Sequence, residues 1–440
     1  MKHTHSLLVT ALLLCATAAW GQSYSGMPVA AFQWRCTDGA RQLNFNPAAT
    51  GTRAFDGVPY AGEYTLVVVY RPLAEGEATV WRLSYGDSVV HALTTERIVC
   101  DSTGIRYSQF SDGRPVIHTL RQSAPALDSA SVRLELGDSN IMVAEALYFD
   151  RRLGNAALRR VQTMLALRYG VTLGPVDYLA GDGSRIWCHR RDSALFHHRI
   201  TGVGHDTVSG LLQLSGHSEM DGGIVTVATD SLEHGTFLLF GDNDATLTFD
   251  PADGWLTGSG CEQLARLWRI QATNAEGMLY TLTFDTRSLP LPTDSLVLLV
   301  DGEPHLPAAV TPQTVRFDHV FFPTDSSLFT LARGPRLWQR AGANAARVNT
   351  GNGQTSTSLP GGNTHFSVYP NPTTGSYTLE VSGARQVQVT VYNQQGKEVA
   401  SYSDSGRDAY RFEGTLPSGN VYYATVTTEN GSRTMKLIVK

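Results

Sequence analysis

Apolar and polar residues alternate along most of this chain in short runs of period two, the signature of strands that bury one face. The alternation is clearest near the C-terminus, where Tyr377, Leu379 and Val381 are interleaved with Thr378 and Glu380. Val387, Val389 and Val391 are likewise interleaved with Gln388, Thr390 and Tyr392. Seven strands follow, at 366–370, 377–382, 387–392, 397–402, 409–413, 421–428 and 433–439, the pattern of a small antiparallel, immunoglobulin-like sandwich. Asn430-Gly431 marks a hairpin before the last strand. Pro370 and Pro372 keep the first strand short or at an edge.

Upstream, 64–70 and 141–149 predict strands, the second apolar on both faces as inside a sandwich. Weaker strand signals lie at 78–83, 105–110 and 132–136. One segment breaks the period. Leu158, Val161, Leu165 and Tyr169 recur at helical spacing over 155–170, with Gly154 or Asn155 to cap the start and Gly170 to end it. Arg159, Arg160 and Arg168 are expected on its solvated face.

The fold class is therefore mainly β: tandem β-sandwich or jelly-roll domains with a C-terminal immunoglobulin-like sandwich. A chain of 440 residues accommodates about three domains. Only 17% of residues are charged and 42 are glycine, a balance that suits an extracellular all-β protein. The net charge of −5 and the lack of a basic stripe argue against a nucleic-acid partner. Residues 333–365 are rich in Gly, Asn, Thr and Ser, carry Arg without acids, and predict a flexible linker; Leu337 and Trp338 are expected to dock on the preceding domain.

The N-terminus reads as a secretory signal, 1–21: Lys2, an apolar run over 7–19, then Trp20-Gly21-Gln22. Cleavage fits after Ala18 or Gly21, with Gly21 preferred. The run is too short to span a membrane, and no later stretch would form a transmembrane helix. Leu14 before Cys15 is too large for a lipoprotein signal. The mature chain keeps Cys36, Cys100, Cys188 and Cys261, which pair as Cys36–Cys100 and Cys188–Cys261 if each bridge stays within one domain, or else remain buried thiols.

Two stretches carry specific phrases. Glu145-Ala146-Leu147-Tyr148-Phe149-Asp150, the helix, and Met164-Leu165-Ala166-Leu167-Arg168-Tyr169-Gly170-Val171-Thr172-Leu173 resemble the closing segment of laminin-G-like, concanavalin-type jelly rolls of Bacteroidota surface proteins. This resemblance implies a jelly roll over 22–173. The phrases at 178–187, 199–206, 237–243 and 267–271 resemble the uncharacterised β domain that follows it in such proteins, here 174–332. In that family Arg usually stands where this chain has His205. Finally, Tyr369-Pro370-Asn371-Pro372 with Gly375, Gly419 with Tyr422, and Lys436, Leu437 and Val439 at the end resemble the C-terminal sorting domain of type IX secretion clients, 366–440. That resemblance implies export through the periplasm to the outer-membrane surface or medium. It also implies partnership with the type IX machinery, and either attachment to surface lipopolysaccharide or release.

Candidate chemistry is sparse. Cys188, His189, His197, His198 and His205 lack zinc-ligand spacing. Asp242-Asn243-Asp244 resembles a calcium loop but has Leu247 where an EF-hand requires glycine, so a strand-connecting turn is expected and no cofactor assigned. Glycoside hydrolysis needs two carboxylates across one bond. Glu145 and Asp150 would face opposite ways, Glu135 is alone on its strand, and Glu75 and Glu77 flank Gly76 in a turn. No catalytic or metal residues are assigned, and a non-enzymatic structural or adhesive protein is expected. A glycan- or matrix-binding module is the alternative, with Trp81 and Tyr85 as its stacking platform, and a glycoside hydrolase is a more distant one.

Overall fold

The computed structural model describes residues 26–439 apart from 61, 101–102, 107–112, 124–130, 191–194, 252–260, 276, 291–295, 335–354, 359–364, 370–372, 394–396, 408 and 430. The signal segment, Leu337 and Trp338, and the Pro370-Asn371-Pro372 motif thus lie outside the described residues, as does the second half of the strand expected at 105–110.

The chain is mainly β throughout. The first sandwich sets a four-stranded antiparallel sheet, in the order Phe32–Arg35, Ile141–Phe149, Glu63–Pro72, Val116–Ser123, against a six-stranded one. The latter runs Arg53–Pro59, Ser131–Leu136, Thr79–Tyr85, Ser88–Thr94, Arg97–Cys100, Thr103–Arg106. Tyr64, Leu66, Val68 and Tyr70 fill the space between the sheets with Trp81, Leu83, Leu134 and Tyr148. Val67 and Val69, on the other face of the same strand, belong to a second core with Leu147 and Phe149. Both faces of this sheet are buried, which explains the unbroken apolar runs. The back face is covered by something other than a sandwich partner.

That cover is the helix Asn155–Tyr169. Gly154 precedes it in extended conformation without a side-chain cap, and Gly170 ends it at φ +63, as expected of a left-handed terminal residue. Leu158, Val161 and Leu165 turn inward and join the same core as Val67 and Val69. The same core continues into Tyr178, Trp187, Phe237 and Leu239 beyond the helix, so one apolar interior crosses residue 173.

The middle domain has two further antiparallel sheets enclosing a core of Trp268, Phe284, Phe317 and Phe329. One contains His198–Asp206, Phe237–Asp242, Trp268–Thr273 and Leu328–Arg333; the other contains Val225–Ala228, Tyr280–Asp285 and Thr314–Val320.

All seven expected tail strands form, from His365–Tyr369 to Gly431–Val439, three in one sheet and four in the other. The hairpin before the last strand closes with Thr428 opposite Gly431. One difference stands out: Thr355–Ser358, inside the expected linker, pairs with His365–Tyr369 and adds a strand to the tail. The first tail strand is short, as its prolines require, but the linker strand occupies its outer edge.

The cysteine pairings do not form, since Cys36 and Cys188 are thiols. Topology accounts for both cases. Cys36 follows the edge strand Phe32–Arg35, which lies over Arg53–Pro59 through a Phe32–Phe55 contact of 5.0 Å. Cys100 sits four strand spacings further along that sheet, about 19 Å away, whereas a disulfide needs Cα atoms within about 7 Å. The Cys188 amide donates to Gln271 Oε1, while Cys261 packs with Val297 and Ala332. Trp268 pairs with Phe329 in antiparallel register, so Gln271 falls level with Ser326. Ala332 is then six residues on, about 20 Å.

Candidate functional site

Polar side chains that sequence reading leaves scattered converge at the junction of the first sandwich and the middle domain. Glu145, in the strand Ile141–Phe149, is completely buried. A register irregularity between Val143 and Glu145 turns it toward the helix rather than the sandwich interior. Its Oε2 accepts from Arg168 Nη1 at 2.8 Å and Tyr169 Oη at 2.9 Å, and its Oε1 from Gln33 Nε2 at 2.8 Å. Arg35 Nε stands 3.8 Å away. Arg168 also donates to the Gly210 carbonyl at 3.1 Å. It is 4% exposed, so the expectation of a solvated arginine fails: it is neutralised inward, by Glu145. Burial and the Glu145 charge together push the Tyr169 hydroxyl far up.

Asn44 is the second nucleus. Also fully buried, and at φ +46, its side-chain amide donates to Leu167 O at 2.8 Å, and its Oδ1 accepts from the His217 amide at 2.8 Å. Asparagine tolerates the left-handed region better than other non-glycine residues, and here its side chain also satisfies carbonyls at the helix C-terminus. The Asn44 amide donates to Glu219 Oε1 at 2.7 Å, Arg71 Nη1 reaches Glu219 Oε2 at 3.2 Å, and His217 Nε2 lies 2.9 Å from Glu219 Oε1. Burial raises the Glu219 carboxyl pKa, but these hydrogen bonds and charges outweigh it and hold the group below its ordinary range. Gly170 is integral: its carbonyl accepts from the Glu219 amide, and a β-carbon there would lie 2.4 Å from the His217 carbonyl oxygen.

The residues singled out for chemistry are engaged elsewhere. Asp242, 1% exposed, and Asp244 both bind the Arg199 guanidinium. An arginine thus holds the position a calcium ion would take, and the expected turn is what forms. His197 and His198 stack at 4.3 Å and His189 meets His197 edge-on at 5.6 Å, while His205 Nδ1 lies 2.9 Å from Leu232 O. Among the described residues, no group of three or more His, Cys, Asp or Glu is placed to hold a metal.

Trp81 does not serve as a stacking platform. It is fully buried, next to an equally buried Val80, because the pairing shifts register between Thr79 and Trp81 and both side chains reach apolar surroundings. Tyr85 is exposed. An aromatic group absent from the sequence reading gathers instead at the open edge of the sandwich: Phe32, Trp34 and Phe55, with Arg53 5.1 Å above Trp34. Of the acids weighed for hydrolysis, Glu77 pairs with Arg97 at 2.7 Å and Glu135 with Arg82 at 3.5 Å. Glu75 is exposed in a bend, and Asp150 is exposed beside Arg151.

In the tail, the sorting-type residues close the sandwich on itself. Tyr422, Leu437 and Val439 are core residues. The Gly419 amide, at φ +79, donates to Val439 O at 3.0 Å, and the Thr373 amide to Ile438 O at 2.8 Å. Tyr369 Oη donates to Glu380 Oε1 at 2.6 Å, Gly375 takes φ +140, and Lys436 lies opposite Tyr423. The last strand is thereby pinned to the residues that follow the proline motif.

Two family models match. One, described as a domain of unknown function (DUF8202), covers 157–330; the other, the secretion system C-terminal sorting domain, covers 367–440. The first begins inside the helix, consistent with a core that crosses residue 173. No curated protein matches the chain. Solved structures with distant likeness include a Bifidobacterium dentium β-glucuronidase (10% identity, 50% of this chain and 44% of that chain, TM-score 0.14). Dimeric latent PorU from Porphyromonas gingivalis is also similar (10% identity, 93% and 33%, TM-score 0.14), as is the Treponema pallidum lipoprotein Tp47 (9% identity, 92% and 94%, TM-score 0.15). The chain spans less than half the length of the first of these, and at such scores none carries a functional argument. The sorting domain does: the chain is a secretion-system client, exported across the outer membrane to the cell surface or released.

Proposed function

We propose that residues 22–332 are a non-enzymatic cargo of structural or adhesive type, with a laminin-G-like first domain, displayed by the type IX machinery and held at the surface or released. The observation that carries this reading is the welding of the first sandwich to the middle domain. The buried polar groups of the junction are consumed in bonding: Glu145 holds Arg168, which donates on to Gly210 of the middle domain, and Asn44 ties the helix end to His217 and Glu219. Saturated and enclosed groups suit mechanical continuity better than proton transfer, which needs an acid within reach of substrate.

The test has two arms. Deleting 366–440 is expected to leave the protein periplasmic; surface display of the truncated chain would end the sorting reading. Cells lacking the protein are expected to lose adherence to matrix proteins, while the purified chain releases no sugar from a broad glycoside panel. Turnover on that panel would overturn the non-enzymatic reading.

Glycan binding is the second reading, favoured by the half-buried Phe32, Trp34 and Phe55 and the Arg53 guanidinium stacked above Trp34. Aromatic faces of this kind receive pyranose rings while polar neighbours fix hydroxyls. A glycan array with wild type and Trp34→Ala decides it: hits lost in the variant support it, and an array without hits removes it.

A further inference from the structure

The sorting domain buries side chains that its own pattern turns outward. In the strand Asn420–Thr428, Tyr422, Ala424 and Val426 enter the tail's core, so Tyr423 points away from it. Tyr423 is nevertheless only 6% exposed. Its cross-strand partner is Tyr392, and the next outward pair is Thr390 with Thr425; Thr390 is buried too.

The middle domain covers this face. The Tyr423 ring lies 6.2 Å from the His319 ring. The Tyr392 ring rests against Gly277 so closely that a β-carbon there would sit 2.5 Å from its Cδ1. Both receiving residues adopt left-handed backbone, Gly277 at φ +72 and His319 at φ +56. His319 is presented by a strand whose pairing shifts register between Tyr280 and Leu282. His319 also lines, with Met278, Asp230 and Arg316, a cleft of about 350 Å³, so the dock sits beside a concavity of the middle domain.

We propose that the exported chain carries its sorting domain masked: the outward face around Tyr392 and Tyr423 is the surface a protein of the secretion apparatus takes, and the middle domain occupies it until the joint opens. Tyrosine is among the residues enriched at protein–protein interfaces. Among the described residues, two rings meet a glycine and an imidazole, a kind of contact that a competing protein can displace without unfolding either partner. The inference depends on the reading of 366–440 as a sorting domain, and its test separates the two.

The experiment locks the joint in the full chain. Gly277→Cys with Tyr392→Cys, and independently His319→Cys with Tyr423→Cys, are expressed in the secreting cell. Crosslinks are mapped by mass spectrometry of the cell fractions. A crosslink is expected to form in the periplasm and to lower surface display at least tenfold relative to the single variants, with display recovering under reductant. Two results would overturn masking: neither pair crosslinks, or the linked chain is displayed as well as the single variants. If wild type and the chain lacking 366–440 are displayed equally, the sorting reading fails instead.

Discussion

The two joints of this molecule are built on different physics. Between the first sandwich and the middle domain, a shared apolar core runs through a helix, and the buried Glu145, Arg168 and Asn44 and the half-buried Glu219 are hydrogen-bonded to one another's elements. Between the middle domain and the tail, the described contact is two tyrosines against Gly277 and His319. Burying charged groups is costly, and removing one partner leaves the other uncompensated. Joints of the first kind therefore open only with unfolding. A two-ring contact has no such penalty.

The contrast can be broken most severely at Glu145. Glu145→Ala strands Arg168 and Tyr169 in a sealed interior, and a loss of about 4 kcal/mol is expected in urea unfolding of the full chain. Both bodies should lose stability together; unfolding of the first sandwich alone would show that the weld is only local. Asn44→Ala removes the donor to the Leu167 carbonyl and the acceptor for the His217 amide, and about 3 kcal/mol is expected by the same measurement.

Glu219 gives a smaller, pH-dependent effect. Its folded-state pKa is depressed, so its stabilisation is complete above the unfolded glutamate value of about 4.3. That stabilisation is lost as pH falls through the lower folded value. Wild type should therefore lose stability between about pH 5 and pH 3 more steeply than Glu219→Gln; parallel curves would remove Glu219 from the joint's electrostatics. The mildest effect belongs to the other joint. Tyr423→Ser is expected to loosen the dock by about 1 kcal/mol, seen as faster trypsin cleavage within 333–365, while the thermal midpoint of the middle domain stays unchanged.

Much of the fold was legible because most strands bury one face. The tail's seven strands follow from alternation alone, and the helix from its apolar stripe and Gly170. Legibility failed where two residues broke phase. Val80 and Trp81 are both buried through a register shift that leaves no mark in composition, which removes Trp81 from the platform that the glycan-binding alternative gives it. Thr355–Ser358 has no apolar residue to signal a strand; it forms because His365–Tyr369 offers an open edge. The junction was invisible for a different reason. Asn44 meets Leu167, His217 and Glu219 across separations of 123 to 175 residues, and no local pattern encodes such convergence. Arg168 is expected in solvent on its charge alone, although seven residues after Val161 it falls on the apolar stripe of the helix; the position of Glu145 supplies the partner that local pattern does not show.

Gly170 has a practical corollary for anyone recombining such chains. A fusion cut at 173/174 would leave the helix and the sandwich face it covers with one body and Tyr178, Trp187, Phe237 and Leu239 of the same core with the other, exposing apolar faces on both products. An insertion of one residue in the helix would turn its stripe by about 100° and carry Arg168 away from Glu145. Modules exchanged between proteins of this organisation should therefore be excised as one piece through Arg333, which keeps the shared interior whole.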